Sequence, residues 1–150
     1  MSLPDRELAE TNRQLEQFLE LLEEEAVALS SGDGTRLEDL TRQRHAVSRQ
    51  LAEAWQALAA GLGLDASAGL PALRLRAFNG GSANAEWQRL ERLTHEAGRM
   101  NRINGRLIEE QMRRTQSALQ VLQSASSRTL YGADGRLNDL LNTSRSIDSA

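Results

Sequence analysis

Residues 85–127, AEWQRLERLTHEAGRMNRINGRLIEEQMRRTQSALQVLQSASS, decide the fold. The stretch has no proline, and apolar residues return every three or four positions. Trp87, Leu90, Leu93, Ala97, Met100, Leu107, Ala118, Leu122 and Ala125 trace one stripe, with Asn104 and Gln111 in line. That period predicts a single helix, about 65 Å long at about 1.5 Å per residue. Such a helix is too long to be the core of a compact globule of 150 residues. It needs long helical partners.

Two lie upstream. Between about Pro4 and Leu29, Leu8, Leu15, Leu22 and Leu29 stand seven residues apart, and Asn12, Leu19 and Ala26 fill the alternate position. Phe18 widens this stripe. Ser2 with Asp5 predicts a capping box, and Pro4 suits a first turn. From Asp5 to Ala26 there are eight acids and two arginines; Glu23, Glu24 and Glu25 read as a solvated face. Residues 30–35, SSGDGT, make a turn, and Thr35 with Glu38 predicts a second capping box. A helix over 36–60 follows. Leu37, Leu51 and Leu58 hold one heptad position, interrupted by Arg44, and Leu40, Val47 and Ala54 hold the other. Trp55 flanks the seam. A short turn between two similar helices predicts an antiparallel hairpin. Glu86 to Arg114 carries seven arginines against five acids, so the long helix suits a place beside the acidic first one. Each exposed ion pair contributes only ~0–1 kcal/mol to that preference.

Residues 61–84 break the periodicity with glycine, serine and alanine. Within them Leu70, Leu73, Ala77 and Phe78 share one side of a short helix that caps the open end of the hairpin. Asn79-Gly80-Gly81 is a loop, and Ser82 or Asn84 is the expected N-cap of the long helix. Beyond Ser127 the pattern changes again. Tyr131-Gly132 and Asp134-Gly135 are turn signals; Leu137, Leu140 and Leu141, extended by Ile147, make an amphipathic patch. Alone it is too short for a stable helix in water, so it docks on the bundle or meets a partner. The expected architecture is all-α: an elongated antiparallel bundle or coiled coil of three long helices (4–29, 36–60, 85–127), a short helix in the linker 61–84, and an amphipathic tail 128–150, all one domain. Oligomeric state is left open, a homo-oligomer included.

Composition agrees. Aromatic residues are 3% of the chain and hydrophobic residues 39%. A Leu/Ala core suits helix seams better than sheets. A net charge of −3 attracts neither nucleic acid nor anionic membrane. Cysteine is absent, consistent with a reducing compartment. No secretory signal and no apolar run long enough to span a bilayer is visible, so the expected location is the cytoplasm. His45 and His95 lie in different helices without ligand spacing. Glu109 and Glu110 are adjacent, so they diverge by about 100°. The segment GLGLDASAG lacks the lysine of a phosphate loop. No catalytic residue, cofactor or metal is therefore expected. Gly98 and Gly105 share one side of the long helix and predict a close helix approach or a slight bend there. Asn101 and Asn104 beside them suit a seam that fixes register.

Residues 100–122, MNRINGRLIEEQMRRTQSALQVL, followed by 130–137, LYGADGRL, resemble the C-terminal half of FlgN-type flagellar export chaperones. The matching features are Asn101, Asn104-Gly105, the run Ala118 to Leu122, and Tyr131-Gly132-Ala133-Asp134-Gly135. The N-terminal half agrees in pattern only. The resemblance implies a small cytoplasmic helical protein, not an enzyme, that binds flagellar hook-associated proteins and delivers them to the export apparatus. It also implies a C-terminal client site, here Leu119, Leu122, Leu130, Tyr131, Leu137, Leu140 and Leu141. The alternative is a dimeric coiled-coil adaptor with no client.

Overall fold

In the computed structural model the described residues are 3–78 and 84–131, with side chains described for 4–78 and 84–128. The chain divides into two units, Met1–Ile108 and Glu109–Ala150. Four helices run through the described residues: α1 Leu3–Ser31, α2 Gly34–Gly61, α3 Leu70–Phe78 and α4 Ala85–Tyr131. The expected all-α class is observed.

The turn between α1 and α2 is built by backbone geometry. Gly32 has φ 73°, the left-handed region that glycine enters at no steric cost. It lets the Asp33 amide reach back to the Ala28 carbonyl at 3.1 Å, satisfying a helix-end acceptor. Asp33, not Thr35, caps α2: its carboxylate accepts from the Arg36 amide at 3.0 Å. The helix therefore starts at Gly34, and the expected Thr35–Glu38 box does not form, because Thr35 already lies inside the first turn. Gly63, φ 70°, ends α2 in the same way, its amide donating to Ala60 and that of Leu64 to Ala59, both at 2.9 Å. Asn84 caps α4, accepting from the Trp87 amide at 3.1 Å.

In the first unit α1, α2, α3 and the start of α4 close one core. Leu8, Leu22, Leu58, Leu73 and Leu90 are fully buried in it, with Trp87 beside them. Each such leucine contributes about 1.5–3 kcal/mol by leaving water. Leu73 brings α3 onto this core, and Phe78 meets Trp87 edge-to-face at 5.3 Å. Trp55 donates its indole N–H to the Ala68 carbonyl at 3.0 Å and holds the linker down. α3 thus caps the hairpin as its pattern predicts.

A second cluster joins Leu21 and Ala28 of α1 to Leu40 of α2, with Leu37 and Val47 packed on it. Two helices touch α1, so its buried arc is wider than the heptad stripe indicates. Glu25 is part of that arc. It is 4% exposed and not solvated like Glu23 and Glu24, because it lies three residues after Leu22, on the side facing α4.

Polar contacts set direction and register. Asn12 donates to the Glu86 carbonyl at 3.0 Å and to its carboxylate at 2.9 Å. Asn104 donates to the Leu22 carbonyl at 2.8 Å. Arg89 pairs with Glu16, the charge complement expected between these helices. Positions rise together on both helices, so α1 and the first part of α4 are parallel, and α2 runs in the opposite sense.

Candidate partner-binding site

Burial along α4 changes partway. Trp87, Leu90, Leu93, Ala97, Met100 and Asn104 are buried. Leu107 and Gln111 are half-buried, and every residue from Met112 to Arg128 is exposed. The stripe itself continues, through the polar Gln111 and Thr115, to Ala118, Leu122 and Ala125. Met112, Leu119 and Leu122 are 58%, 51% and 65% exposed, so in the second unit α4 presents an exposed apolar face. Val121, also exposed, lies about 100° round from Leu122. Glu110 and Arg114, four apart, pair at 2.6 Å on the same helix. The Thr115 hydroxyl donates to the Gln111 carbonyl at 3.0 Å. Such a surface is apolar and open to water.

Of the expected contact residues, the described side chains are those of Leu119 and Leu122, both on this face. Leu130 and Tyr131 fall in the last turn of α4, their side chains outside the described residues. Gly132, Asp134, Gly135, Leu137, Leu140 and Leu141 lie outside the described residues altogether. Met112 was not singled out by sequence reasoning; its place seven residues before Leu119 is the signal that marks it.

Asn101 and Asn104 separate in role. Asn101 is exposed, while Asn104 is buried against α1 and also lies 3.4 Å from the Glu25 carboxylate. Arg44, the interruption in the α2 seam, reaches the same carboxylate at 3.4 Å. The polar breaks of the α2 and α4 seams, Arg44 and Asn104, therefore meet at Glu25. Gly105 is exposed, and a Cβ there would meet nothing within 4 Å. At Gly98 it would meet only the Arg102 guanidinium, at 3.6 Å. No close helix approach is seen at either glycine, although Gly98 is half-buried.

A groove of about 660 Å³ lies between α3 and α4, lined by Leu70, Leu75, Phe78 and Thr94 with the Arg74–Glu91 ion pair at its rim. Sequence reading did not find it, since it depends on where α3 docks. Among the described residues no group of acidic or histidine side chains is arranged to hold a metal ion, and His45 and His95 are exposed on different helices. Nor is any described helix long and apolar enough to cross a membrane.

Comparison with known proteins follows this geometry. The model of the FlgN protein family matches residues 6–139, which spans all four helices. The chain belongs to the FlgN family. It is 31% identical over 129 residues to the flagella synthesis protein FlgN of Proteus mirabilis, covering 83% of this chain and 82% of that one. Shorter likenesses link it to the FlgN proteins of Salmonella typhimurium, 44% identical over 50 residues, and Escherichia coli K12, 42% over 50. Each of these two covers 33% of this chain and 36% of the relative. No solved structure matches the chain. The FlgN match covers both the leucine hairpin and the exposed half of α4, so the resemblance read in residues 100–137 extends to the packed unit.

Proposed function

We propose that this FlgN-family chain serves flagellum synthesis as a cytoplasmic export chaperone. It holds hook-associated proteins before assembly and hands them to the flagellar type III export apparatus. The observation that carries this reading is the exposed apolar face of α4 between Met112 and Leu122. An apolar strip on a helix, left open to water, is a surface suited to another helix. It covers the assembly-prone terminal segment of a client by helix-on-helix burial, and Leu137, Leu140 and Leu141 extend the contact. Membership of a family whose named relatives are flagella synthesis proteins supports the same reading.

The test is co-elution of the purified chain with hook-associated proteins. Leu119→Asp with Leu122→Asp, and separately deletion of residues 132–150, should each leave the first unit's melting in place and abolish co-elution. Full binding by both variants rejects this face and tail as the client site. If the intact chain never binds a hook-associated protein, the chaperone reading falls and an adaptor without client gains.

A further inference from the structure

We infer that the outer face of α4 in the first unit docks an acidic helix of a partner protein, at a surface separate from the proposed client site. Arg92, Arg99 and Arg106 stand seven residues apart, with His95 and Arg102 between them. At about 100° per residue, these side chains fall within about 80° of the helix surface. All of them are exposed. The arc lies on the far side of α4 from the buried Leu93, Ala97 and Asn104, so it has no part in the core.

No acid falls inside the arc. Glu91 and Glu96 border it, and each is already paired, with Arg74 at 3.1 Å and with Arg99. Glu23 of α1 adds to the field at Arg99. Arg92, Arg102 and Arg106 make no ion pair among the described residues. Solvated helix faces ordinarily mix both signs. Like charges four apart, as at Arg102 and Arg106, oppose helix formation. A partner that brings carboxylates to the arc relieves that repulsion.

The shape of the arc selects the partner. Its arginines rise in steps of about 10.5 Å along a nearly straight line, the repeat of a helix whose acids recur every seven residues. Arginine meets a carboxylate through two parallel N–H···O bonds. A second helix laid alongside therefore sets arginine against carboxylate in each heptad. Nucleic acid and membrane fit less well. No aromatic residue lies from Gln88 to Arg106 to stack on a base. The arc has no apolar side chain to enter a bilayer. The same unit carries the acids of α1, which repel a broad anionic surface, whereas a slender helix meets the arc alone.

The probes are two labelled, alanine-based helical peptides with the same number of glutamates. In one the glutamates recur on a single face at heptad spacing; in the other they are spread evenly round the helix. Each is titrated with the full-length chain and followed by fluorescence anisotropy. The single-face peptide should bind several-fold more tightly, and more weakly as salt rises. Arg92→Gln, Arg102→Gln and Arg106→Gln together should weaken it by about five-fold or more. Arg6→Gln, Arg42→Gln and Arg49→Gln together remove the same charge from exposed positions on α1 and α2, and should leave its affinity within about two-fold. The first triple variant should melt no lower than the unmodified chain. A lower melt means that these arginines support the fold, and it overturns the proposal. So does equal affinity for the two peptides, an equal loss in both triple variants, or no binding of either peptide at low salt. Tighter binding of a single-stranded oligonucleotide or a phosphatidylserine vesicle than of the single-face peptide also overturns it. None of these arginines belongs to the proposed client site, so failure here leaves the client reading untouched.

Discussion

At the scale of single residues, the polar interruptions of the seams carry the most information. Asn104 and Arg44 each look like a flaw in a leucine pattern and Glu25 like a solvated acid, yet both breaks meet Glu25 in space. The node is only partly satisfied: Glu25 Oε2 and Asn104 Oδ1 have no hydrogen-bond partner among the described residues. Its role is then register rather than net stability, since half-satisfied buried polar groups cost energy. Asn104→Leu should lower the urea-unfolding free energy by ~1–3 kcal/mol, by leaving Glu25 buried with one distant partner. Adding Glu25→Leu should recover most of that loss, because Arg44 is exposed enough to turn to water. Gly105→Ala tests the opposite expectation. With nothing near its Cβ, the variant should gain ~0.5–1 kcal/mol from helix propensity alone; destabilisation would restore the close-approach reading. Leu90→Ala in the core should cost ~2–5 kcal/mol.

At the scale of elements, α4 is one helix with two environments. Its first half is held by buried leucines and by α1. From Met112 to Arg128 it has exposed side chains only, and isolated helices of that length are marginal in water. Hydrogen exchange should therefore be slow for amides of residues 90–104 and much faster for residues 112–128. Addition of a client should slow the second set and leave the first unchanged. Helix periods were legible in the sequence because core-facing residues repeat; the short helix Leu70–Phe78 was legible for the same reason. The N-cap of α2 was not. Thr35 and Asp33 both suit a cap, and only the left-handed turn at Gly32 brings Asp33 to the Arg36 amide.

At the scale of the whole molecule, exposed charge sets the response to pH. Arg13, and then Gln14, hold the Glu10 carboxyl below its ordinary value. Arg99 does the same for Glu96, and the Ser67 hydroxyl and amide do so for Asp65. Groups whose pKa falls on folding contribute stability that is complete above the unfolded-state value and is lost as pH falls through the folded-state value. The melting temperature should then be flat from about pH 8 to about pH 5 and decline below, by a small amount because these pairs face water.

The helical class, the three long helices and the stripe that α4 continues past its partners were all written in the sequence. Residue spacing alone encodes which face of a helix is apolar. Tertiary structure decided which parts of those faces are covered. Glu25 is buried because two helices press on α1 from different sides, and the groove beside Leu75 exists because Leu73 anchors α3 on the core. Leu90 and Leu122 lie on one stripe and look alike in sequence. Only the placement of α1 and α2 buries the first and leaves the second open for a client.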